Sequence, residues 1–574
     1  MNDDLYIKES SEVFDAIVIG SGISGGWAAK ELCERGLKTL MIERGRVVEH
    51  RKDYIGEGVP PWKEPHRSKV NNLVTEQQNI QKECYAFTDN TKHFFGNDRD
   101  LPYQTAEGTT FSWIRGNQLG GKSLTWHRQS YRLSEHDFSA NKLDGFGTDW
   151  PIRYKDLAPW YSHVERHAGI SGESAGLPQL PDSEFLPPFE MTAPEIAIKA
   201  SIEKNYPERR LIMGRMAHLT QPTELHISQG RVNCQARNEC QKGCSFGAYF
   251  STQSSTLPAA AKTGNLHIAA DSVVHSLIYD EKTRRVKGIR VIDNNDLSER
   301  EYLGKVVFMC ASTIGSTQVL LNSKSRTFPD GIANSSGVLG HYLMDHNYNA
   351  RIEGDIPGFE NEYYRGRRPG GLLIPNFQYE PSRYSKNYVR GYSFSGDASR
   401  EDWKSKQEQD GFGADFKAQL SQAGKWRFGM TAQGEMLPRF ENQLALHPTL
   451  KDKWGMPQLE FNCRWSDNEK LMMEDAAEVG RQMFIKVGLE NVTAETTERP
   501  PGIAIHELGT ARMGRDPKTS VLNGYNQCHD VDNLFVTDGA SFASSATQNP
   551  SLTFMALTAR AVDYAANEIK SGRL

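Results

Sequence analysis

The chain has 574 residues, of which 38% are apolar, so it is long enough for more than one folded unit. Its 67 basic and 72 acidic residues give a net charge of −5, which excludes the broad positive field used by nucleic-acid-binding and membrane-surface proteins. No apolar run approaches the ~18–20 residues of a membrane helix, and the acidic N-terminus is unlike a signal peptide. We expect a protein that binds no nucleic acid and is not an integral membrane protein.

A βαβ unit is predicted in the first part of the chain. Residues 14–19 form an apolar strand, a helix follows, and a second strand ends at Glu43. The turn between strand and helix contains Gly20, Gly22, Ser24 and Gly25. Gly20 permits a tight turn, Gly22 lets a pyrophosphate approach the backbone, and Gly25 lets the helix pack on the strand. Glu43 is placed to bind a ribose diol, and the unit predicts a dinucleotide site without distinguishing NAD from FAD.

The middle of the chain is less distinctive. A helix is predicted near residues 156–167, and period-two alternation at residues 388–394 and 426–430 predicts strands with one wet face. We assign these strands to a second sheet. Gln433 and Glu435 lie just after the second strand, and we expect them to be surface residues rather than ligands.

Three of the eight cysteines lie within eleven residues, whereas the other five stand apart and are expected to be inert core thiols. Cys234, Cys240 and Cys244 are separated by five and then three residues. A zinc site would need a remote fourth ligand, and a disulfide would leave one thiol over. Three thiolates on one loop also suit a 3Fe-4S cluster, so three interpretations stay open at this point.

The C-terminal part of the chain carries a second group of candidate residues. His506 opens a glycine-rich loop, and a strand at residues 534–537 ends before Asp538 and Gly539. Asn549 precedes Pro550, where a helix begins, which is the position favoured for an N-cap. A simple cap for Asn549 and a hydrogen-bonded loop histidine for His506 are the plain structural interpretations.

Six separated segments resemble the glucose–methanol–choline (GMC) oxidoreductases, in the order found in that family. They are residues 20–43, 115–121, 311–321, 343–346, 441–448 and 506–549. The resemblance implies an α/β protein with a Rossmann-like FAD-binding domain and a substrate-binding domain that contains an antiparallel sheet. The expected FAD domain is residues 1–135, 226–340 and 500–574, and the expected substrate domain is residues 136–225 and 341–499.

The same resemblance implies the residues of the site. Those expected to bind FAD are Gly20, Gly22, Ser24, Gly25, Glu43, Arg44, Gly120, Gly121, Ser123, Val274, Asp538, Gly539 and Asn549. His506 and Asn549 are expected to flank the reacting carbon. A neutral imidazole, with an ordinary pKa of ~6.5, is suited to accept the substrate hydroxyl proton, and Asn549 is suited to donate a hydrogen bond to the developing alkoxide. Thr125 stands where a related branch carries a flavin-linking histidine, and His127 is out of register, so non-covalent FAD is expected.

Within the family, residues 22–53 are most similar to the large subunits of the glucoside 3-dehydrogenases. That similarity implies oxidation of a sugar or glucoside at C3 to a keto sugar, a 3Fe-4S cluster on Cys234, Cys240 and Cys244, and a cytochrome c acceptor. It also implies a small subunit that carries the export signal, and therefore the periplasm, with the cytoplasm as the alternative. An oxygen-using sugar oxidase with structural cysteines, and a flavin-binding subunit without catalysis, are the competing hypotheses.

Overall fold

A computed structural model describes residues 5–362, 368–379, 383–401 and 411–574. Its strands are β1 Val13–Ile19, β2 Thr39–Ile42, β3 Gln104–Thr105, β4 Ile212–Met213, β5 Leu266–Ala269, β6 Ser272–Asp280, β7 Arg285–Asp293, β8 Glu299–Met309, β9 Ala350–Ile356, β10 Leu372–Ile374, β11 Tyr392–Arg400, β12 Trp426–Gly434, β13 Gln443–Lys451, β14 Pro457–Asn462, β15 Glu490–Thr496 and β16 Leu534–Val536. Its α-helices are α1 Ile23–Glu34, α2 Asn72–Gln77, α3 Glu135–Asp144, α4 Tyr154–Ala168, α5 Ala193–Asn205, α6 Glu224–Ser228, α7 Thr256–Lys262, α8 Thr313–Asn322, α9 Gly413–Ser421, α10 Asp467–Lys486 and α11 Ser551–Lys570.

The largest sheet has the strand order β5-β2-β1-β8-β7-β6, and β16 pairs with β8. The strands β5, β2, β1, β8 and β16 run parallel, whereas β6, β7 and β8 pair antiparallel. Strand β1 is buried on both faces: on one of them Ala16 and Val18 cluster with apolar residues of α1 and α11, and on the other Ile17 and Ile19 belong to the main core. The predicted Rossmann-like βαβ unit is confirmed.

A second sheet has the order β15-β9-β12-β11-β10-β4 and is antiparallel throughout. One of its faces is apolar: Ile352, Phe394 and Phe428 belong to a buried cluster that includes Met472 and Phe484 of α10. Period two therefore sends the polar side chains of β9, β11 and β12 to the opposite face. The predicted antiparallel sheet is confirmed.

Two details of the predicted strands differ from the structure. Strand β11 begins only at Tyr392, because residues 388–391 form the bend that leads into it. Gln433 lies within β12 rather than after it, and its side chain is 1% exposed, while Glu435 is 4% exposed. The expectation that these polar residues lie at the surface is wrong, because their strand end is covered by neighbouring segments.

The first sheet takes its strands from residues 13–42, 266–309 and 534–536, and the second from residues 212–213, 350–434 and 490–496. A third sheet, of order β13-β14-β3, joins strands from both expected domains, and the domain boundaries proposed from the sequence stay a prediction. No helix in the described ranges is both long enough and apolar enough to span a bilayer.

Candidate active site

A cavity of about 1410 Å³ lies between the two sheets. The segments that follow β1, β2 and β8 line one side of it, at the carboxyl ends of parallel strands, where α/β proteins bind nucleotides. The polar face of the second sheet lines the other side, with Arg351, Ser395 and Thr431 among its residues, and Asn349 lies just before it. The cavity exceeds the ~300–1,000 Å³ of a common ligand pocket, so it has room for a dinucleotide together with a substrate.

The turn between β1 and α1 is shaped for a cofactor backbone. A Cβ atom on Gly25 would lie 1.9 Å from the carbonyl oxygen of Gly20, and one on Gly20 would lie 2.3 Å from the carbonyl oxygen of Cys310. These two glycines are therefore required by packing. A Cβ on Gly22 would meet no described atom within 4 Å, because this residue faces the cavity. The turn thus leaves an open cradle at the N-terminus of α1, which fits the pyrophosphate of FAD.

Two buried carboxyl groups mark the same side of the cavity. Glu43 follows β2 and accepts hydrogen bonds from the N–H of Ser21 (3.2 Å) and of Gly45 (2.8 Å); burial raises its pKa. Asp538 follows β16 and accepts from the Ser316 hydroxyl at 2.5 Å; burial raises its pKa to about 6. Both side chains line the cavity, where each retains lone pairs for a hydroxyl of the cofactor.

Most of the residues predicted to bind FAD lie on this cavity. The ones that line it are Gly20, Gly22, Ser24, Glu43, Arg44, Gly121, Ser123, Val274, Asp538, Gly539 and Asn549. Gly25 and Gly120 are not among its lining residues: Gly25 packs α1 on β1, and the N–H of Gly120 donates to the Ser21 hydroxyl at 2.8 Å. They support the cradle from behind. Thr125 and His127 also line the cavity.

His506 and Asn549 are brought together although 43 residues separate them. The amide nitrogen of Asn549 lies 3.4 Å from Nε2 of His506, and both residues line the cavity. The carboxyl group of Asp345 fixes the loop before His506, since it accepts N–H bonds from Gly502 (2.7 Å) and His506 (3.1 Å). Helix α11 starts at Ser551, with Pro550 as its N-cap, so the N-cap expected at Asn549 is wrong and its side chain is free to face His506.

The second nitrogen of His506 contacts another histidine. Nδ1 of His506 lies 2.9 Å from Nδ1 of His346, and Nε2 of His346 lies 2.8 Å from the carbonyl oxygen of Ala546. Burial lowers the pKa of His346 to about 4. Burial also lowers the pKa of His506 well below its usual value, and His346 and Lys122 add to that shift. Both imidazoles are therefore neutral near pH 7.

The sequence analysis assigned no role to His346. It also assigned none to Tyr348, whose ring lies near that of His506. The ring of Tyr348 lies 6.0 Å from that of His506, and its hydroxyl donates to the side-chain oxygen of Gln433. The Gln433 amide nitrogen is buried and has no hydrogen-bond partner among the described residues. The only sequence signal was that residues 343–346 form one of the segments that resemble the family.

The three clustered cysteines surround a second, small pocket of about 20 Å³. Cys234, Cys240 and Cys244 all line it, together with His218, whose Nε2 lies 3.6 Å from Sγ of Cys240. All eight cysteines are free thiols, and the five isolated ones are buried, as expected for core thiols. The disulfide interpretation of the cluster has no support in this arrangement.

The cysteine loop also forms part of the large cavity's wall, because residues 236–238 line both spaces. Positive charge surrounds the thiols: Arg128 donates to the carbonyl oxygen of Cys240 at 2.6 Å, and Arg231 and Arg237 lie close by. Burial raises the pKa of Cys234 to about 11. Across the described ranges, no three His, Cys, Asp or Glu side chains are spaced to hold one metal ion. Thiol groups are the ligands that iron–sulfur clusters use, but the described positions of these three thiols do not form a metal-binding arrangement.

Comparison with known proteins gives matches along most of the chain. Sequence profiles described as GMC oxidoreductase match residues 14–348 and residues 438–558. A 2-methyl-1,2-propanediol dehydrogenase of Mycolicibacterium austroafricanum is 28% identical, over 97% of this chain and 95% of its own. The fructose dehydrogenase large subunit of Gluconobacter japonicus is 26% identical, over 97% of this chain and 98% of its own.

The fold is also found among solved structures. A formate oxidase from Aspergillus oryzae RIB40 superimposes with a TM-score of 0.61, covering 98% of this chain and 100% of that one, at 13% sequence identity. At this identity the similarity concerns the fold alone.

Proposed function

Because this chain belongs to the GMC oxidoreductase family, we propose that it is an FAD-dependent dehydrogenase that oxidises a secondary hydroxyl of glucosides or related sugars, at C3, to a ketone. Family membership indicates FAD as the cofactor, and we propose that it is bound non-covalently, since Thr125 stands where a covalent link would need a histidine. The observation that carries the proposal is the contact between His506 and Asn549 on the wall of a cavity built for a dinucleotide.

Oxidation of an alcohol removes a hydride from carbon and a proton from oxygen. When bound, FAD supplies the acceptor for the hydride. His506 takes the hydroxyl proton on Nε2, because its lowered pKa keeps that imidazole neutral and able to accept at neutral pH. Asn549 donates its amide N–H to the oxygen on which negative charge develops. One C–H and one O–H bond break, a C=O bond forms, and the proton rests on His506.

The choice of a sugar as substrate rests on two observations. A fructose dehydrogenase large subunit is similar to this chain over nearly its full length. The cavity wall opposite the nucleotide turn is polar: Ser395 and Thr431 are paired on adjacent strands, and Asn349 lies immediately before β9. Hydroxyl and amide groups in this number suit a polyhydroxylated substrate better than an aliphatic alcohol. The C3 position itself rests on the resemblance to glucoside 3-dehydrogenases.

We further propose that Cys234, Cys240 and Cys244 hold a 3Fe-4S cluster. Three thiols around one pocket, and three arginines that would stabilise an anionic cluster, support this assignment. The zinc interpretation stays the alternative, with His218 as its remote fourth ligand, since that side chain lines the same pocket. When bound, such a cluster supplies a one-electron exit from a reduced flavin, which suits a cytochrome c acceptor.

The relatives also suggest how the protein is assembled. Since one of them is a large subunit, we propose that this chain pairs with a small subunit that carries an export signal and that the complex works in the periplasm. Co-purification of the chain with a signal-bearing partner from a periplasmic fraction would support this. Recovery of the active chain alone from the cytoplasm would count against it.

Anaerobic titration of the purified protein with methyl glucoside tests the proposed function. The flavin spectrum, low-temperature EPR and NMR of the sugar product are followed together. A bleached flavin, a 3Fe-4S signal that disappears on reduction, and a C3 ketone are expected.

Two other outcomes would change the assignment. Rapid peroxide formation in air, in a protein without iron, would identify an oxygen-using oxidase with structural cysteines. Unchanged activity of an assembled complex that carries His506→Ala would identify a flavin-binding subunit without catalysis.

A further inference from the structure

We propose that His346 is a positioning residue that fixes the tautomer of His506, so that Nε2 of His506 carries a lone pair toward the cavity before substrate arrives. The inference rests on the proposed role of His506 as the base. It follows from the direction of three hydrogen bonds, which connect the Ala546 carbonyl, His346, His506 and Asn549.

The Ala546 end of this chain of hydrogen bonds has only one possible direction. A carbonyl oxygen accepts and never donates, so Nε2 of His346, 2.8 Å away, must carry a proton. His346 is completely buried and neutral at pH 7, so its other nitrogen, Nδ1, is unprotonated. The buried His346 imidazole is neutral and therefore carries one proton. Its hydrogen bond to the Ala546 carbonyl places that proton on Nε2.

The direction of the next bond follows from the first. Nδ1 of His346 can only accept, so Nδ1 of His506, at 2.9 Å, must donate. A neutral His506 that is protonated on Nδ1 has a lone pair on Nε2. That nitrogen faces Asn549, whose amide nitrogen lies at 3.4 Å and is a donor. The four groups therefore form one chain in which every donor points the same way.

The reverse arrangement is unfavourable for a specific reason. If Nδ1 of His506 were the acceptor, neutral His346 would need its proton on Nδ1, and its bare Nε2 would then face the Ala546 oxygen at 2.8 Å. The lone pairs of Nε2 and of the carbonyl oxygen would then face each other in a buried position, and no described side chain offsets their repulsion. A buried polar group left without a hydrogen bond is unfavourable, so the reverse tautomer is a minor species.

The backbone holds both ends of this arrangement. Ala546 has a positive φ of 57°, an uncommon conformation for a residue with a Cβ, and its carbonyl oxygen contacts His346. Asp345, the residue before His346, accepts the N–H of His506 and so ties the two histidine segments together. His346 thus presents a fixed acceptor. After proton transfer the same acceptor stabilises the doubly protonated ring of His506, since Nδ1–H continues to donate to it.

Two variants separate the acceptor role of His346 from its volume. In His346→Asn, Oδ1 takes the place of Nδ1 and still accepts from His506. In His346→Leu the acceptor is lost while the side chain stays comparable in size. Flavin reduction by methyl glucoside is measured anaerobically by stopped flow, with FAD content and melting temperature as checks on folding.

We expect His346→Leu to lower the limiting rate constant of flavin reduction by about 100-fold, at the low end of the 10²–10⁴ that a general base contributes. His346→Asn should stay within about tenfold of wild type, and the sugar Kd should change little in either variant. Equal rate constants for the Leu variant and the wild type, or equal losses for both variants, would overturn the proposal.

A direct readout does not depend on turnover. In protein labelled with ¹⁵N-histidine, the His506 signals are assigned by their loss in His506→Gln. The wild type should show protonated Nδ1 and bare Nε2 on His506, and His346→Leu should show a mixture. A wild-type His506 protonated on Nε2 refutes the inference even if the Leu variant does not fold. If methyl glucoside never reduces the wild-type flavin while the tautomer is as expected, the proposed function fails and the tautomer assignment stands.

Discussion

Two glycines of the first turn offer a test that separates packing from cofactor contact. In Gly25→Ala the new Cβ would lie 1.9 Å from the Gly20 carbonyl oxygen, so an ordinary contact of 3.4 Å requires a shift of about 1.5 Å in the backbone. Overpacking costs about 1–3 kcal/mol, and we expect the upper end because the obstructing atom belongs to the backbone. The apoprotein itself should be destabilised.

Gly22→Ala should behave in the opposite way. Its φ of −66° suits alanine, and no described atom obstructs the Cβ. The poorer N-cap and the lower entropy of the unfolded chain offset each other to within about 0.5 kcal/mol. The methyl group, however, occupies the approach to the pyrophosphate, and we expect Kd for FAD to rise at least about tenfold, or 1.4 kcal/mol.

The assay is FAD titration of apoprotein by fluorescence, with melting temperatures measured with and without FAD. At an FAD concentration 100 times the wild-type Kd, a tenfold weaker affinity cuts the ligand stabilisation from about 2.7 to about 1.4 kcal/mol. Wild-type affinity in Gly22→Ala would show that the turn does not approach the cofactor. A fully stable Gly25→Ala apoprotein would show that the packing described here is incorrect.

Three further results are expected. His506→Ala should lower the rate constant of flavin reduction by about 10²–10⁴ with FAD content preserved, as measured anaerobically; a smaller effect would assign the proton to another group. Because the pKa of His506 is lowered, its neutral, active form persists to more acidic pH, so flavin reduction at saturating sugar should stay constant as the pH falls through 6.5 and decline only well below it. A half-maximal rate near pH 6.5 would contradict this. Cys240→Ser should abolish the EPR signal and reduction of cytochrome c while leaving anaerobic flavin reduction intact; loss of flavin reduction as well would indicate a structural role for the thiol.

The nucleotide side of the site could be predicted because its physical requirements are local. The strand, the glycine turn and the acid at Glu43 follow one another within about thirty residues, and each residue type has a steric or hydrogen-bonding reason at its position. The same holds for the strand before Asp538. Such patterns are visible without knowledge of which distant segments pack against them.

The side of the site that contains His506 and Asn549 depends on contacts between distant segments, and there the sequence was less informative. Asn549 looked like a helix cap because Asn before Pro is favourable at an N-cap, whereas the helix begins two residues later. The role of His346 depends on the direction of a carbonyl group 200 residues away, which no periodicity records. Gln433 looked like a surface residue because the segments that cover it lie elsewhere in the chain.

The pairing of β16 with β8 determines when the protein can be completed during its synthesis. The cofactor cradle is formed by the turn after β1, yet its wall includes Asp538 and Asn549. About 500 residues separate β1 from β16, which at about 5–20 residues per second correspond to roughly 25–100 s of translation. During that interval the nascent chain contains the turn after β1 but not Asp538 or Asn549. The cavity wall around the cofactor cradle is therefore complete only after residues 534–549 have been translated.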